Sequence, residues 1–165
     1  MKRYQHYLFD WGDTLMVDLP GQVGPMCDWP EIKLVEGAIE CLSVLSKVAH
    51  CHVATNALNS NQGQIRAAFE RAGLSPFIAN IFCAEEIGFH KPQGEYFQFI
   101  IETLEVPAGE IVMIGDSLEK DIYGALRQGM DALWFNPNHR PVPKEIIGLT
   151  GLSELTFALA SKAAK

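Results

Sequence analysis

Two aspartates stand just past short apolar runs. Asp10 follows Tyr7-Leu8-Phe9, and Asp116 comes after Ile111-Val112-Met113-Ile114 with only Gly115 between. Both carboxylates should therefore reach the same edge of the fold. Two of them at one edge repel each other unless a hard cation joins them, and oxygen ligands of this kind suit Mg²⁺. Any single aspartate here is more often a turn or cap residue, so the weight falls on its company. Thr55-Asn56 closes a third apolar run, His50 to Ala54. Asp121 comes shortly after Asp116, and Lys91 sits before Pro92 and an aromatic segment. A lone loop lysine is usually just solvated.

The elements that must position these residues are readable from apolar spacing. Tyr7-Leu8-Phe9, His50-Cys51-His52-Val53-Ala54, Ile81-Phe82-Cys83, Ile111-Val112-Met113-Ile114 and Ala132-Leu133-Trp134-Phe135 read as buried strands. Between them lie stripes of helical period. One carries Val35, Ile39, Leu42 and Leu45. A second carries Ile65, Ala68, Phe69 and Ala72, with Ser60 able to cap it and Gly73 to end it. A third carries Phe97, Ile100, Ile101 and Leu104, closed by Pro107 and Gly109, and a fourth carries Ile122, Ala125 and Leu126. Asn136 to Pro143, with its prolines, is a loop, and a modest helix through Leu152, Leu155 and Leu159 is expected before a frayed tail. Strands alternating with helices call for a three-layer α/β/α Rossmann-like domain with a mainly parallel central sheet. In such sheets ligands bind beyond the carboxyl ends of the strands, where Asp10–Thr14, Thr55-Asn56 and Gly115–Ser117 all fall.

Composition narrows the function classes. The 165 residues suit a single domain spanning 1–165, and 48% hydrophobic content with 20% charge excludes a disordered chain. A net charge of −7 disfavours nucleic acid and anionic lipid as partners. The four cysteines (Cys27, Cys41, Cys51, Cys83) form no CxxC pair and read as reduced thiols of a cytoplasmic protein. No apolar run approaches membrane-spanning length, and Asp10 interrupts the first one too early for a signal peptide.

The order of the pieces resembles the haloacid dehalogenase (HAD) superfamily of phosphohydrolases. The first motif, an apolar strand leading into Asp-x-Asp-x-Thr, stands here as Tyr7-Leu8-Phe9-Asp10-Trp11-Gly12-Asp13-Thr14-Leu15. The second matches Val53-Ala54-Thr55-Asn56, the third His90-Lys91-Pro92, and the fourth Gly115-Asp116-Ser117-Leu118-Glu119-Lys120-Asp121. The resemblance covers residues 7 to 135. It implies a Mg²⁺-dependent phosphohydrolase that opens a phosphate monoester through an aspartyl-phosphate on Asp10. It further implies metal binding by Asp10, the Gly12 carbonyl and Asp116, with Asp121 orienting metal-bound water. Thr55 and the Asn56 amide would bind the phosphoryl group, and Lys91 would balance charge. The implied partner is a small phosphorylated metabolite, and a homo-oligomer is compatible with the pattern.

Two departures matter. The family's second aspartate, which protonates the leaving group and later activates water, is replaced by Gly12, and an aspartate comes one place later at Asp13. A one-residue offset in extended backbone turns a side chain to the opposite face, and an aspartate in a turn usually bonds nearby amides. Residues 16–34, with Pro20, Pro25 and Pro30, form a short loop insertion in place of a cap domain, since a separate lid needs about 50 residues. Trp29 of that loop is expected to pack on the body, the alternative being that Cys27, Trp29 and the nearby prolines line the rim of the site. Gly12 leaves two other readings open: a catalytically weak binding or scaffold protein, and a dehalogenase, against which the short insertion and the Asp116/Asp121 pair argue. His50-Cys51-His52 is set aside as a metal site because neighbouring strand side chains point to opposite faces. His139-Arg140 lies beyond the last strand, where substrate contact is the alternative, and reads as a solvated loop; Tyr96, Phe97 and Phe99 read as core.

Overall fold

Short apolar stretches of alternating face build a six-stranded sheet in the computed structural model, which describes residues 2–157. In chain order the elements are β1 (His6–Phe9), α1 (Ala38–Leu45), β2 (His50–Thr55), α2 (Gln62–Arg71), β3 (Ile78–Cys83), α3 (Ala84–Ile87), α4 (Gly94–Leu104), β4 (Ile111–Gly115), α5 (Gly124–Leu126), β5 (Asp131–Phe135) and β6 (Ile147–Leu149). Every pairing is parallel and the strand order is β3-β2-β1-β4-β5-β6. The chain moves outward from β1 to β3, returns to β4 on the other side of β1, and moves outward again. The carboxyl ends of β1 and β4 therefore flank the crevice where ligands of such sheets bind.

Period-two alternation sends successive side chains to two separate cores. Tyr7, Phe9, Cys51, Val53, Val112, Ile114, Leu133 and Phe135 pack with α1, α2 and the segment at Leu152 and Leu155. Leu8, Ala54, Phe82, Met113 and Trp134 pack with Tyr96, Phe97 and Ile100 of α4 and with Ile122 and Ala125. The expected three-layer α/β/α architecture is the one observed.

Local details differ from expectation for identifiable reasons. Asn61, not Ser60, caps α2: its side chain accepts from the Gln64 amide while Gln64 reaches back, a reciprocal capping box. In α1 the inward face is Ala38, Cys41, Leu42 and Leu45, so Ile39 lies outside it and is exposed. Leu126 is likewise exposed. The segment after Asp116 is a π-helical turn over Leu118–Tyr123 that runs into α5, not one regular helix. The sixth strand, β6, was not expected. Leu152 and Leu155 are buried as expected, whereas Leu159 and the tail fall outside the described residues. Among the described residues no helix is long and apolar enough to cross a membrane, and all four cysteines are free thiols.

Candidate active site

The end of β1 turns sharply. The Trp11 carbonyl accepts the amides of Leu15 and Met16 at 3.0 and 3.1 Å, and the Asp13 amide donates to the Met16 carbonyl at 2.7 Å. Asp10 begins this turn, its own amide donating to the Ile114 carbonyl of β4 at 2.9 Å. The nucleophile candidate is thus tied by its backbone to the strand that delivers Asp116.

Asp121 reaches the same point through the π turn. Its amide and that of Ile122 both donate to the Ser117 carbonyl, at 3.0 and 3.3 Å, and the Ser117 hydroxyl accepts from the Lys120 amide. The wide turn aims Asp121 inward, and such turns recur at functional sites. Gly115 leaves room for it: a Cβ at that position would run into the Asp121 carboxylate.

Lys91 binds these groups together. Its side chain is only 2% exposed, and its ammonium donates to Asp10 Oδ1 at 2.8 Å, Asp121 Oδ1 at 2.7 Å and the Ala54 carbonyl at 2.7 Å. Burial alone would drive the lysine toward neutrality, but Asp10 and Asp121 outweigh it and hold the ammonium charged. The lysine backbone is clamped from β2. Asn56 donates its side-chain amide to the Lys91 carbonyl at 2.8 Å and accepts the Lys91 amide at 2.7 Å. Both ends of the Asn56 side chain are thus spent on the Lys91 backbone. Thr55 is buried beside it, its hydroxyl accepting the Ala57 amide at 3.1 Å.

One oxygen each of Asp10, Asp116 and Asp121 lie within 4.8 Å of one another. Three carboxylates around one ammonium leave an excess of negative charge. Burial, reinforced by the charge of Asp10, pushes the Asp116 carboxyl up to about 7. Burial also raises Asp121, to about 6, with Asp10 adding to the rise and Lys91 opposing it. Asp121 spends its second oxygen on the Ser117 amide at 3.1 Å and the first on Lys91, so it positions other groups more than it offers a free ligand atom. Around the cluster is a cavity of about 240 Å³ lined by Asp10, Gly12, Thr55, Lys91, Asp116 and Asp121 among others.

Asp13 points elsewhere. Its backbone is left-handed (φ 58°), its Oδ1 accepts the Asp18 amide at 2.9 Å, and it lines a separate cavity of about 840 Å³ beside Asp116. Trp29 is buried and donates to the Gly24 carbonyl at 3.0 Å, so it packs on the body as expected while also facing a cavity of about 220 Å³ next to Gly12. Tyr96, read as core, is fully buried and donates to the Phe82 carbonyl at 2.8 Å.

Two features escaped the residue pattern. Arg140, read as a solvated loop residue, donates to the Asp116 carbonyl at 3.0 Å and stacks over Trp134, 4.7 Å from its ring. Its place just past β5, another strand end, is the signal that could have found it. His50 and His52 share a strand face, and the pleat brings His6 of β1 to that face. His6 Nδ1 lies 2.9 Å from His52 Nε2, whose other nitrogen meets Asn80 at 3.1 Å.

Comparison with known proteins is consistent with this arrangement. The chain is 35% identical over 116 residues to the HAD-hydrolase YfnB of Bacillus subtilis, across 70% of this chain and 48% of that protein. It is 29% identical over 156 residues to the pyrimidine 5'-nucleotidase YjjG of Escherichia coli, across 92% of this chain and 68% of that one. The chain thus spans about half the length of YfnB and two thirds of YjjG. The crystal structure of YfnB bound to magnesium superposes with a TM-score of 0.78 at 23% identity, covering 96% of this chain and 99% of that one, a likeness of fold. The family profile described as haloacid dehalogenase-like hydrolase matches residues 12–129, and the chain belongs to that family.

Proposed function

We propose that this chain is a Mg²⁺-dependent phosphohydrolase that opens small phosphate monoesters through an aspartyl-phosphate on Asp10. The observation that carries this reading is the buried Lys91 ammonium bridging Asp10 and Asp121 beside Asp116. The donor set fits a hard divalent cation: all candidate ligands are carboxylate or carbonyl oxygens, and the carboxylate charge exceeds what one lysine neutralises. Asp10, Asp116 and the Gly12 carbonyl would hold Mg²⁺, with Asp121 orienting a bound water. When bound, the ion would lower the repulsion between a dianionic phosphate and the carboxylates.

The chain's own groups supply the remaining chemistry. Lys91 holds Asp10 Oδ1, which leaves Oδ2, 3.5 Å from the Thr14 hydroxyl, as the attacking atom. The Asn56 main-chain N–H and Thr55 would hydrogen-bond the phosphoryl oxygens. Asn56 acts as a positioning residue for Lys91. Residues 16–34 stand in place of a cap in a single domain, which leaves the site open. The relatives include a nucleotidase, consistent with a phosphorylated metabolite as substrate, and the four free cysteines favour a cytoplasmic location. The test is phosphate release from 4-nitrophenyl phosphate and from a set of phosphorylated metabolites, with Mg²⁺ and with EDTA, for the parent and Asp10→Asn. Release that needs Mg²⁺ and disappears in Asp10→Asn is expected. Metal-independent halide release would point to a dehalogenase instead, and metal binding without turnover to the binding-protein reading that Gly12 favours.

A further inference from the structure

Lys91 and Arg140 both contact residues of the carboxylate cluster, and the fold places the two by the same device. Asn56, just past β2, grips the Lys91 main chain by accepting its amide at 2.7 Å and donating to its carbonyl at 2.8 Å. Asn136, just past β5 and only 2% exposed, grips Arg140 in the same way. Its Oδ1 accepts the Arg140 amide at 3.0 Å, and its Nδ2 donates to the Arg140 carbonyl at 2.8 Å. The Asn136 amide is itself tied to the Leu149 carbonyl of β6 at 2.7 Å, so the loop that carries Arg140 has a fixed root.

The guanidinium is held as well as the backbone. It lies over the Trp134 ring, 4.7 Å from its centre, and Nη2 donates to the Asp116 carbonyl at 3.0 Å. The Trp134 indole N–H donates to that same carbonyl at 2.9 Å. A carbonyl oxygen has two lone pairs, and here each meets one of two side chains stacked on each other. Among the described residues Arg140 has no acidic partner, so its charge is not spent on a surface ion pair. The peptide so anchored lies outside the sheet. β4 ends at Gly115, which carries no side chain, and the Asp121 carboxylate occupies the space one would need. The next hydrogen-bonded turn closes only on the Ser117 carbonyl. Asp116 stands between the two, yet its carboxylate must meet those of Asp10 and Asp121 within 4.8 Å.

We infer that Arg140 is a positioning residue for the metal site: with Trp134 it fixes the Asp116 peptide, and so the carboxylate that would hold Mg²⁺. This rests on the phosphohydrolase reading above. The sign of its effect separates this role from others. Like charges repel, so an Arg140 acting through charge alone would oppose Mg²⁺, and its removal would tighten Mg²⁺ binding. An Arg140 that only gripped substrate would, when removed, raise the KM of the ester and leave Mg²⁺ binding unchanged. Loss of a positioning residue weakens Mg²⁺ binding. Groups that orient a ligand are worth about 10–100-fold in metal affinity or activity, and the donor that Trp134 retains argues for the lower end.

The experiment titrates Mg²⁺ by calorimetry into the metal-free full chain, for the parent, Arg140→Met and Lys33→Met. Methionine keeps a stem over the Trp134 ring but offers neither donor nor charge. Lys33 lines the same cavity of about 840 Å³ as Arg140, so Lys33→Met removes a cation from that space without touching the clamp. Arg140→Met should weaken Mg²⁺ binding about tenfold. The Mg²⁺ concentration giving half-maximal release from 4-nitrophenyl phosphate should rise by the same factor, with the KM of the ester at saturating Mg²⁺ near the parent's. Lys33→Met should bind Mg²⁺ no more weakly than the parent, and the thermal midpoint of both variants in EDTA should stay near the parent's because both residues are exposed. Arg140→Met binding Mg²⁺ as tightly as the parent or tighter, or Lys33→Met losing as much as Arg140→Met, overturns the assignment while leaving the phosphohydrolase standing. A parent that binds no Mg²⁺ and releases no phosphate overturns both readings.

Discussion

Lys91→Met is the most informative perturbation of the carboxylate cluster, because methionine keeps most of the lysine's length and removes its charge. Removing one partner of a buried ion pair costs about 3–5 kcal/mol. Lys91 is 2% exposed and serves two carboxylates at 2.8 and 2.7 Å, which argues for the upper part of that range. In a chain of this size each kcal/mol is worth about 2–4 °C, so the midpoint of thermal unfolding at pH 8 should fall by roughly 10–15 °C. The loss should depend on pH in a definite sense. Asp116 and Asp121 are raised to about 7 and about 6, so the folded protein binds protons that the unfolded chain has already released. Stability tied to these groups is present at low pH and is lost as pH climbs from the unfolded value through the folded one. At pH 5 both of these carboxyls hold protons, so less uncompensated charge remains beside Asp10 and the Lys91→Met deficit should shrink by about half. Partial exposure of Asp116 tempers its share. The assay is thermal unfolding of parent and variant in EDTA at pH 5 and pH 8. A deficit equal at the two pH values, or a variant as stable as the parent at pH 8, would refute the reasoning.

If the proposed site holds Mg²⁺, Asp116→Ala should raise the Mg²⁺ concentration giving half-maximal phosphate release by at least the ~10–100-fold that losing a group which merely orients a ligand costs; an unchanged requirement means Asp116 does not face the metal. His52 is held at about 3 by burial and by the nearby His6 and His50, so below pH 6.5 the unfolded chain takes a proton that the buried ring refuses. Stability should therefore drop between pH 6.5 and 3, by at most about 1.4 kcal/mol per pH unit from this ring, and His52→Leu should flatten that part of a denaturant-derived stability curve.

The strands were legible because buried parallel strands are apolar runs, and β1, β2, β4 and β5 each carry one with a polar residue at or just past its end: Asp10, Thr55, Asp116 and Asn136. The sixth strand was not, since Ile147-Gly148-Leu149 is only three residues with a glycine at its centre. It exists because β5 offers it a parallel edge, a tertiary cause that leaves no local periodicity. The π turn over Leu118–Tyr123 is similar: the spacing of Ile122 and Ala125 suits a regular helix, and the wider turn follows from carrying Asp121 to Lys91. The histidines show a rule applied too narrowly. Alternation separates Cys51 from its neighbours, but it puts His50 and His52 on one face, and only strand pairing could reveal that His6 joins them.

The site divides the same way. That Asp10, Thr55 and Asp116 stand at strand ends follows from where the apolar runs stop, which is local information. What binds them is not local: Lys91 reaches across 81 residues to Asp10 and 30 to Asp121, and Asn56 uses both ends of its amide to set the lysine's backbone. A motif can mark Lys91 as a cation near phosphate, yet its burial between two carboxylates depends on how four strand ends converge. Position 12 carries this furthest. Read along the chain, Gly12 is a missing carboxylate and Asp13 a misplaced one. In the fold, the turn after β1 returns the chain until the Asp18 Cβ stands 3.8 Å from the place where a side chain at position 12 would begin, with Asp13 holding the amide that brings it there.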